Sequence, residues 1–283
     1  MHIRRQKGEC KLKLAFWSNF HGQNATTSNM LATSIMAVLL HKTKVFLGQS
    51  HYHLNNLEGP LILVSREERK DYFMNVGIDA IVRAIKSTYL DEEIIENCTL
   101  SYMNKRLILL PSTVKSNQSI YEDDLDRTII SILEAVSKYH DMVIMDVALR
   151  QNNITSKILE SADLIVVNLS QNINVLRDYE DNFLKSFQNK NIVYIMGNYN
   201  PDSRYTIKNL RKSFSWLRSN NVGLVPYNIE FMDSISCGNI IPFFYKNMNV
   251  DKNDPNYYFI KEVKKTTRLI HNLVTKKVVD NGL

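Results

Sequence analysis

The most constraining feature of this chain is an alternation. Short apolar runs of strand length take turns with longer runs of helical period, from Leu12 to Val274. That order predicts a parallel sheet joined by crossover helices. Leu12 to Trp17 is the first apolar run, and a polar turn, Ser18 to Ala25, comes next. Thr26 to Leu40 then carries Met30, Leu31, Ile35, Met36, Val38 and Leu39 at helical spacing. Further strands are expected at Lys44–Leu47, Met142–Met145, Leu164–Val167, Ile192–Met196 and Val222–Val225. The run Met142–Met145 is wholly apolar, as parallel strands buried on both faces tend to be. Helices are expected at Ile78–Ile85, Asp91–Glu96, Asp124–Tyr139, Val175–Phe187, Thr206–Phe214 and Tyr257–Val274. Leu100–Tyr102 and Leu107–Leu110 flank Asn104-Lys105 and read as a hairpin. Residues 48–75 and 111–122 read as the long loops.

Composition narrows the class. The chain has 283 residues, 44% of them hydrophobic, with only 9 Gly and 6 Pro, which excludes disorder as a global description. No apolar run approaches the length of a membrane-spanning helix, and Leu14–Trp17 is too short for a signal-peptide core. Cys10, Cys98 and Cys237 are far apart and form no metal-type pair, so they read as reduced thiols of a cytoplasmic protein. We expect one domain over 1–283, with 1–10 a flexible N-terminal extension and 275–283 a flexible tail.

The net charge is +6, from 35 Lys and Arg against 29 Asp and Glu. Basic residues gather in three groups: Arg4 to Lys13; Arg204, Lys208, Arg211, Lys212 and Arg218; and Lys261, Lys264, Lys265, Arg268, Lys276 and Lys277. Each group reads either as a solvated helix face or as a surface for a polyanion. Non-specific DNA therefore stays open as a partner, without any base-reading motif.

The turn after the first strand carries the chemistry. A loop there sits at the carboxyl end of a parallel sheet, where successive backbone N–H groups and a helix N-terminus make an anion site. Thr26 and Thr27 lie where a hydroxyl would meet Mg²⁺ and a phosphate oxygen. The Gly-Lys-Ser/Thr of a phosphate loop is replaced by Asn24-Ala25-Thr26. The missing lysine removes a charge-assisted contact worth roughly 1.5–3 kcal/mol. The other reading of this loop is a Thr-rich helix start with a Gly turn. Asp146 ends the strand "YHDMVIMDV", as a Walker-B aspartate does, or as an ordinary turn-capping residue does.

The order of segments resembles a family. The degenerate loop and the strand-ending Asp146 precede "SADLIVVNLSQNINVLRDY", "NIVYIMGNYNPDSRYTIKNL" and "VGLVPYNIEFMDSISCGN". Over roughly residues 11–274 this is similar to the ParA/MinD group of deviant-Walker P-loop ATPases, and within it to the TadZ/CpaE pilus-localisation branch. The resemblance implies a doubly wound α/β fold, a mostly parallel sheet with helices on both faces, of the SIMIBI/ParA-like P-loop NTPase kind. It also implies ATP and Mg²⁺ as cofactors, a nucleotide-held homodimer and the positioning of cargo. The family's loop K-G-G-x-G-K-T-T falls on Phe20, His21, Gly22, Gln23, Asn24, Ala25, Thr26 and Thr27. Its two lysines therefore fall on Phe20 and Ala25, and only Gly22, Thr26 and Thr27 keep the pattern. Positions 21 to 27 become the cofactor-binding candidates, with Asn198 and Pro226 matching segments that hold the base. Thr26 and Asp146 become the metal candidates. The acids that end the second strand in active members fall near Gly48 and Ser50, so they are absent as well.

The resemblance thus implies a TadZ/CpaE-type localisation or scaffold protein with weak or no ATP hydrolysis, dimerising and recruiting a pilus or secretion ATPase. The alternative is an active partition ATPase with ATP-dependent, non-specific DNA binding. A pure interaction module with an empty pocket is the third reading. No catalytic residue is assigned. His21, His51 and His53 could bind metal, but no Cys or Glu completes a credible set, Glu58 being the nearest acid, and filling the space left by the missing acids and lysines is the other role for these histidines. No Gly-x-Ser-x-Gly elbow supports a Ser hydrolase. The tail helix is expected to pack on the sheet, with a membrane surface as the other option.

Overall fold

The first strand is apolar on both faces because helices cover it on both sides. In β1 (Leu12–Trp17), Leu12, Leu14 and Phe16 enter one core, while Ala15 and Trp17 enter the other. The computed structural model describes residues 12–52, 57–63, 72–87, 89–149 and 152–280, without the side chains of 274–280. The remaining strands are β2 (Val45–Gln49), β3 (Leu100–Tyr102), β4 (Leu107–Leu109), β5 (Met142–Asp146), β6 (Leu164–Leu169), β7 (Ile192–Tyr199) and β8 (Val222–Pro226). They form an eight-stranded sheet in the order β3-β4-β2-β5-β1-β6-β7-β8. Every pairing is parallel except the β3–β4 hairpin at one edge. The alternation predicts the parallel sheet with crossover helices, and the resemblance implies its doubly wound, mostly parallel α/β arrangement.

One core packs the sheet against α2 (Ile78–Ser87), α4 (Gln118–Val136), α6 (Ile173–Asn182) and α7 (Ile207–Ser213). The other packs it against α1 (Thr26–His41), α8 (Ile229–Ser236), α9 (Ile240–Asn247) and α10 (Tyr257–Asp280). Two short helices, α3 (Glu92–Asn97) and α5 (Asn153–Ser161), lie between these longer elements in the chain. Residues Asn29 to Val38 of α1 are all buried, so this helix lies sandwiched between the sheet and α10.

Several boundaries differ from the sequence reading. Helix α4 begins at Gln118, six residues before the expected Asp124, because the Asn117 side chain accepts from Ser119 N and Ile120 N. The expected helix over Val175–Phe187 ends at Asn182, and a 3₁₀ turn occupies Lys185–Phe187. Helices α5, α8 and α9 form where the sequence pattern shows no helix. Asparagines Asn152 and Asn228 cap the first two of them. No helix of the described residues is long and apolar enough to cross a membrane.

The last helix also closes the open edge of the sheet. Thr266 Oγ1 donates to Leu224 O and accepts from Leu224 N, both at 2.8 Å, which occupies backbone groups that an edge strand otherwise leaves free. Gly223 permits this contact, since a Cβ there would stand 2.5 Å from Thr266.

The α1–α10 contact carries a pH dependence. His41 and His271 stack with ring centroids 3.9 Å apart. Burial holds both imidazoles below the ordinary histidine value of 6.5, and at His41 the neighbouring His271 and Arg268 lower it further. The unfolded chain therefore binds protons that the folded chain refuses. The pair's contribution is complete above pH 6.5 and is lost as pH falls below it. Acidification from neutral pH to about pH 5 is expected to lower the thermal midpoint, and His271→Leu should flatten that dependence. Thermal unfolding at a series of pH values reads both.

Candidate phosphate-type cleft at the carboxyl edge

The loop Ser18–Ala25 leaves β1 and enters α1 at the carboxyl edge of the sheet. Two residues bend it through the left-handed region, Gly22 at φ 74° and Ala25 at φ 52°. Ala25 is the N-cap of α1 but brings no side-chain acceptor, and the first turn holds no acid. The helix therefore presents first-turn N–H groups that no cap residue satisfies, a geometry that suits an anion.

A belt of asparagines holds the loop from below. Asn24 Nδ2 donates to Ser18 Oγ at 2.8 Å, and Asn29 Nδ2 donates to Asn24 O and to Asn168 Oδ1, both at 3.0 Å. Asn168 Nδ2 reaches Trp17 O at 3.2 Å, and Asn19 Nδ2 reaches Asp178 Oδ2 at 2.8 Å. Gly197 lets β7 approach this belt, for a Cβ there would lie 2.5 Å from Asn24 O.

Asp146 ends β5 beside Phe16 of β1 and Gln49 of β2, and it is fully buried. Thr27 Oγ1 donates to its Oδ2 at 2.5 Å. Its Oδ1 is buried and accepts no hydrogen bond, while His51 Nε2 stands 3.4 Å away. The segment carrying His51 is pinned on several sides. Ser50 N donates to Asp146 O at 2.9 Å, and Ser112 Oγ and Tyr121 OH donate to His51 O at 2.9 and 3.2 Å.

These elements enclose a cleft of about 230 Å³. Of the sequence candidates, His21, Gly22, Ala25, Thr26, Thr27 and Asp146 line it, joined by Phe20 and His51. Gln23 and Asn24 do not line it. Gln23 is exposed, and Asn24 is turned into the belt. Asn198 and Pro226 end up outside it as well. Asn198 sits exposed at φ 47° in a bulge of β7, and Pro226 is buried at the end of β8 opposite Tyr199. The threonine that meets Asp146 is Thr27, whereas the loop arithmetic favours Thr26. His53, Cys10 and most of the first basic group lie outside the described residues.

The donors suit a hard divalent cation: a carboxylate with one oxygen left unsatisfied, flanked by threonine hydroxyls. Among the described residues no three His, Cys, Asp or Glu side chains gather into a metal group. No Lys or Arg lines the cleft among the described residues either, so negative phosphate charge meets only backbone dipoles and two histidines. Sequence reasoning missed His51 as a neighbour of Asp146, and it missed the asparagine belt. Asn168, a lone polar residue inside the apolar run Leu164–Leu169, was the available signal for the belt.

A second cleft, of about 280 Å³, opens at the β8 edge. Arg211 of the second basic group and Lys265 of the third both line it, above Ile207 and Leu269. The two groups, distant in sequence, thus meet at one place.

The sheet order, with helices on both faces, is a doubly wound, mostly parallel α/β fold. Solved ParA and MinD ATPases share it. The chain superimposes on a ParA family ATPase from Chlorobium tepidum TLS with a TM-score of 0.70 at 15% identity, over 91% of this chain and 99% of that one. It superimposes on the septum site-determining protein MinD of Pyrococcus horikoshii OT3, solved with Mg-ADP, with a TM-score of 0.68 at 12% identity, over 94% and 98%. For a chain of the MinC:MinD cell division complex of Aquifex aeolicus the values are 0.63 and 17%, over 93% and 96%. No protein-family model matches the sequence, and no curated protein matches it significantly.

Proposed function

We propose that this chain is a localisation or scaffold protein of the TadZ/CpaE type, built on the ParA/MinD fold. It binds nucleotide weakly or not at all, hydrolyses little, forms a homodimer and recruits an assembly such as a pilus or secretion ATPase in the cytoplasm. The observation that carries this reading is the charge of the cleft. The anion-binding backbone is present, yet Phe20 and Ala25 stand where lysines would neutralise phosphate, and no Lys or Arg among the described residues replaces them. Phosphoryl transfer depends on such positioned charge, so its loss removes catalysis before it removes shape.

Where a nucleotide does bind, the N–H groups of the loop and of the first turn of α1 would face its phosphates, and Thr26, Thr27 and Asp146 would hold Mg²⁺. That ion would supply positive charge at the phosphates. Tyr227 and Ile229, 57% and 67% exposed just past β8, offer apolar surface near the same edge for a partner. Titration with labelled ATP and Mg²⁺, with light scattering for mass, tests the reading. Weak or absent binding without turnover is expected, and brisk turnover would sink it.

A second reading, an active partition ATPase with DNA as partner, draws on Arg211 and Lys265 lining one cleft, where Glu262 also stands and pairs with Lys265 at 2.8 Å. It requires salt-sensitive DNA binding that ATP promotes. DNA affinity indifferent to nucleotide counts against it.

A further inference from the structure

The cleft of about 280 Å³ at the β8 edge shares no lining residue with the cleft at Asp146. Three elements build it. Helix α7 brings Ile207 and Arg211, β8 brings Val222 to Leu224, and α10 brings Glu262, Lys265 and Leu269. An aliphatic floor with a few fixed polar groups is the usual form of a small-molecule site. Pockets for drug-sized ligands run from about 300 Å³ upward, so this volume suits a smaller occupant.

Arg211 is the group that gives the cleft its chemistry. Its Nη2 donates to Arg218 O at 3.2 Å. That carbonyl is held in turn, since Arg218 N donates to Asn221 Oδ1 at 2.7 Å and Asn221 Nδ2 donates to Trp216 O at 3.0 Å. The guanidinium is therefore aimed before any ligand arrives. Its Nε is buried and finds no acceptor among the described residues, which marks a donor set whose partner the protein does not supply. Lys265, by contrast, is already paired, with its Nζ 2.8 Å from Glu262 Oε1. That pair cancels, and one net positive charge is left in the lining, on Arg211.

We infer that this cleft binds a small monocarboxylate with a short, branched aliphatic body. The carboxylate would sit on the Arg211 guanidinium, whose planar fork matches it. The hydrocarbon would cover Ile207, Val222, Leu224 and Leu269. Charge complementarity selects a monoanion, because a dianion exceeds the single free charge and meets Glu262. A peptide strand is not the occupant. Thr266 takes both backbone groups of Leu224, so no continuous ladder is left along this edge for an added strand.

The test is saturation-transfer NMR with calorimetry on the full-length protein. The probe is isocaproate, beside the alcohol and the amine of the same carbon skeleton. Saturable binding of the acid is expected with a dissociation constant on the order of 1 mM, as a ligand of so few atoms allows. The alcohol and the amine should bind at least about tenfold more weakly, since each forgoes the charge-assisted contact. Arg211→Gln should weaken the acid by about the same factor and leave the alcohol unchanged. Lys212→Gln removes a neighbouring charge of α7 that does not line the cleft, and it should change nothing. No saturable binding of the acid, equal affinity for acid and alcohol, or acid binding that survives Arg211→Gln would each overturn the inference. The comparison of acid with alcohol uses the unaltered protein, so it decides even where a variant misfolds. If duplex DNA binds and is lost in Arg211→Gln while isocaproate never binds, the cleft belongs to a polyanion surface and the inference falls.

Discussion

Ala25→Lys should tighten binding of ATP with Mg²⁺ by about 10- to 100-fold. One charge-assisted phosphate contact contributes roughly 1.5–3 kcal/mol, and affinity changes tenfold per about 1.4 kcal/mol. Ala25 lines the cleft and is only partly buried, so a longer side chain has an exit into the space above the loop. The left-handed backbone at φ 52° is already borne by a residue with a Cβ, so lysine adds no new strain there. Ala25→Met supplies similar length without charge and should show no gain. Calorimetry on the three proteins separates the effect of charge from that of bulk. Equal affinity for all three would mean that charge is not what this cleft lacks.

Gly197→Val should cost about 2–4 kcal/mol of stability, through overpacking and the loss of buried hydrogen bonds. Its Cβ would meet Asn24 O at 2.5 Å and Asn29 Nδ2 at 2.6 Å, and the first of these is backbone with little room to retreat. Retreat would break the bonds from Asn29 to Asn24 O and Asn168 Oδ1, which hold the loop against the sheet. The contrast is Gly22, where a Cβ meets nothing within 4 Å. Gly22→Ala loses only through its left-handed backbone, about 1–2 kcal/mol. Thermal unfolding should therefore rank Gly197→Val well below Gly22→Ala. The reverse order would mean that the asparagine belt does not support the loop.

Much of the fold was legible because both faces of the sheet are covered. Runs such as Leu164–Val167 had to be apolar throughout, and alternation with helices pointed to a parallel sheet with crossovers, while the doubly wound order came from the resemblance. The short helices α5, α8 and α9 were not legible. Each is brief and mixed in character, and tertiary contact decides such segments more than local pattern does.

The loop was legible in identity but not in aim. Counting residues placed two threonines near a phosphate, but the phase of α1 decides that Thr27, not Thr26, reaches Asp146. Asn198 and Pro226 were carried to the site by analogy, and the lining of the cleft does not include them. His51 became a neighbour of Asp146 through the β2–β5 register, in which Gln49 lies beside Asp146. A long-range pairing of that kind leaves no local trace in a single sequence.

The most direct measurement is steady-state ATP hydrolysis by the purified wild-type chain with Mg²⁺, run beside Asp146→Ala. The predicted result is phosphate release at background level in both proteins. Robust turnover in the wild type that Asp146→Ala abolishes would contradict a cleft that has kept the shape of a phosphate site and lost its charge.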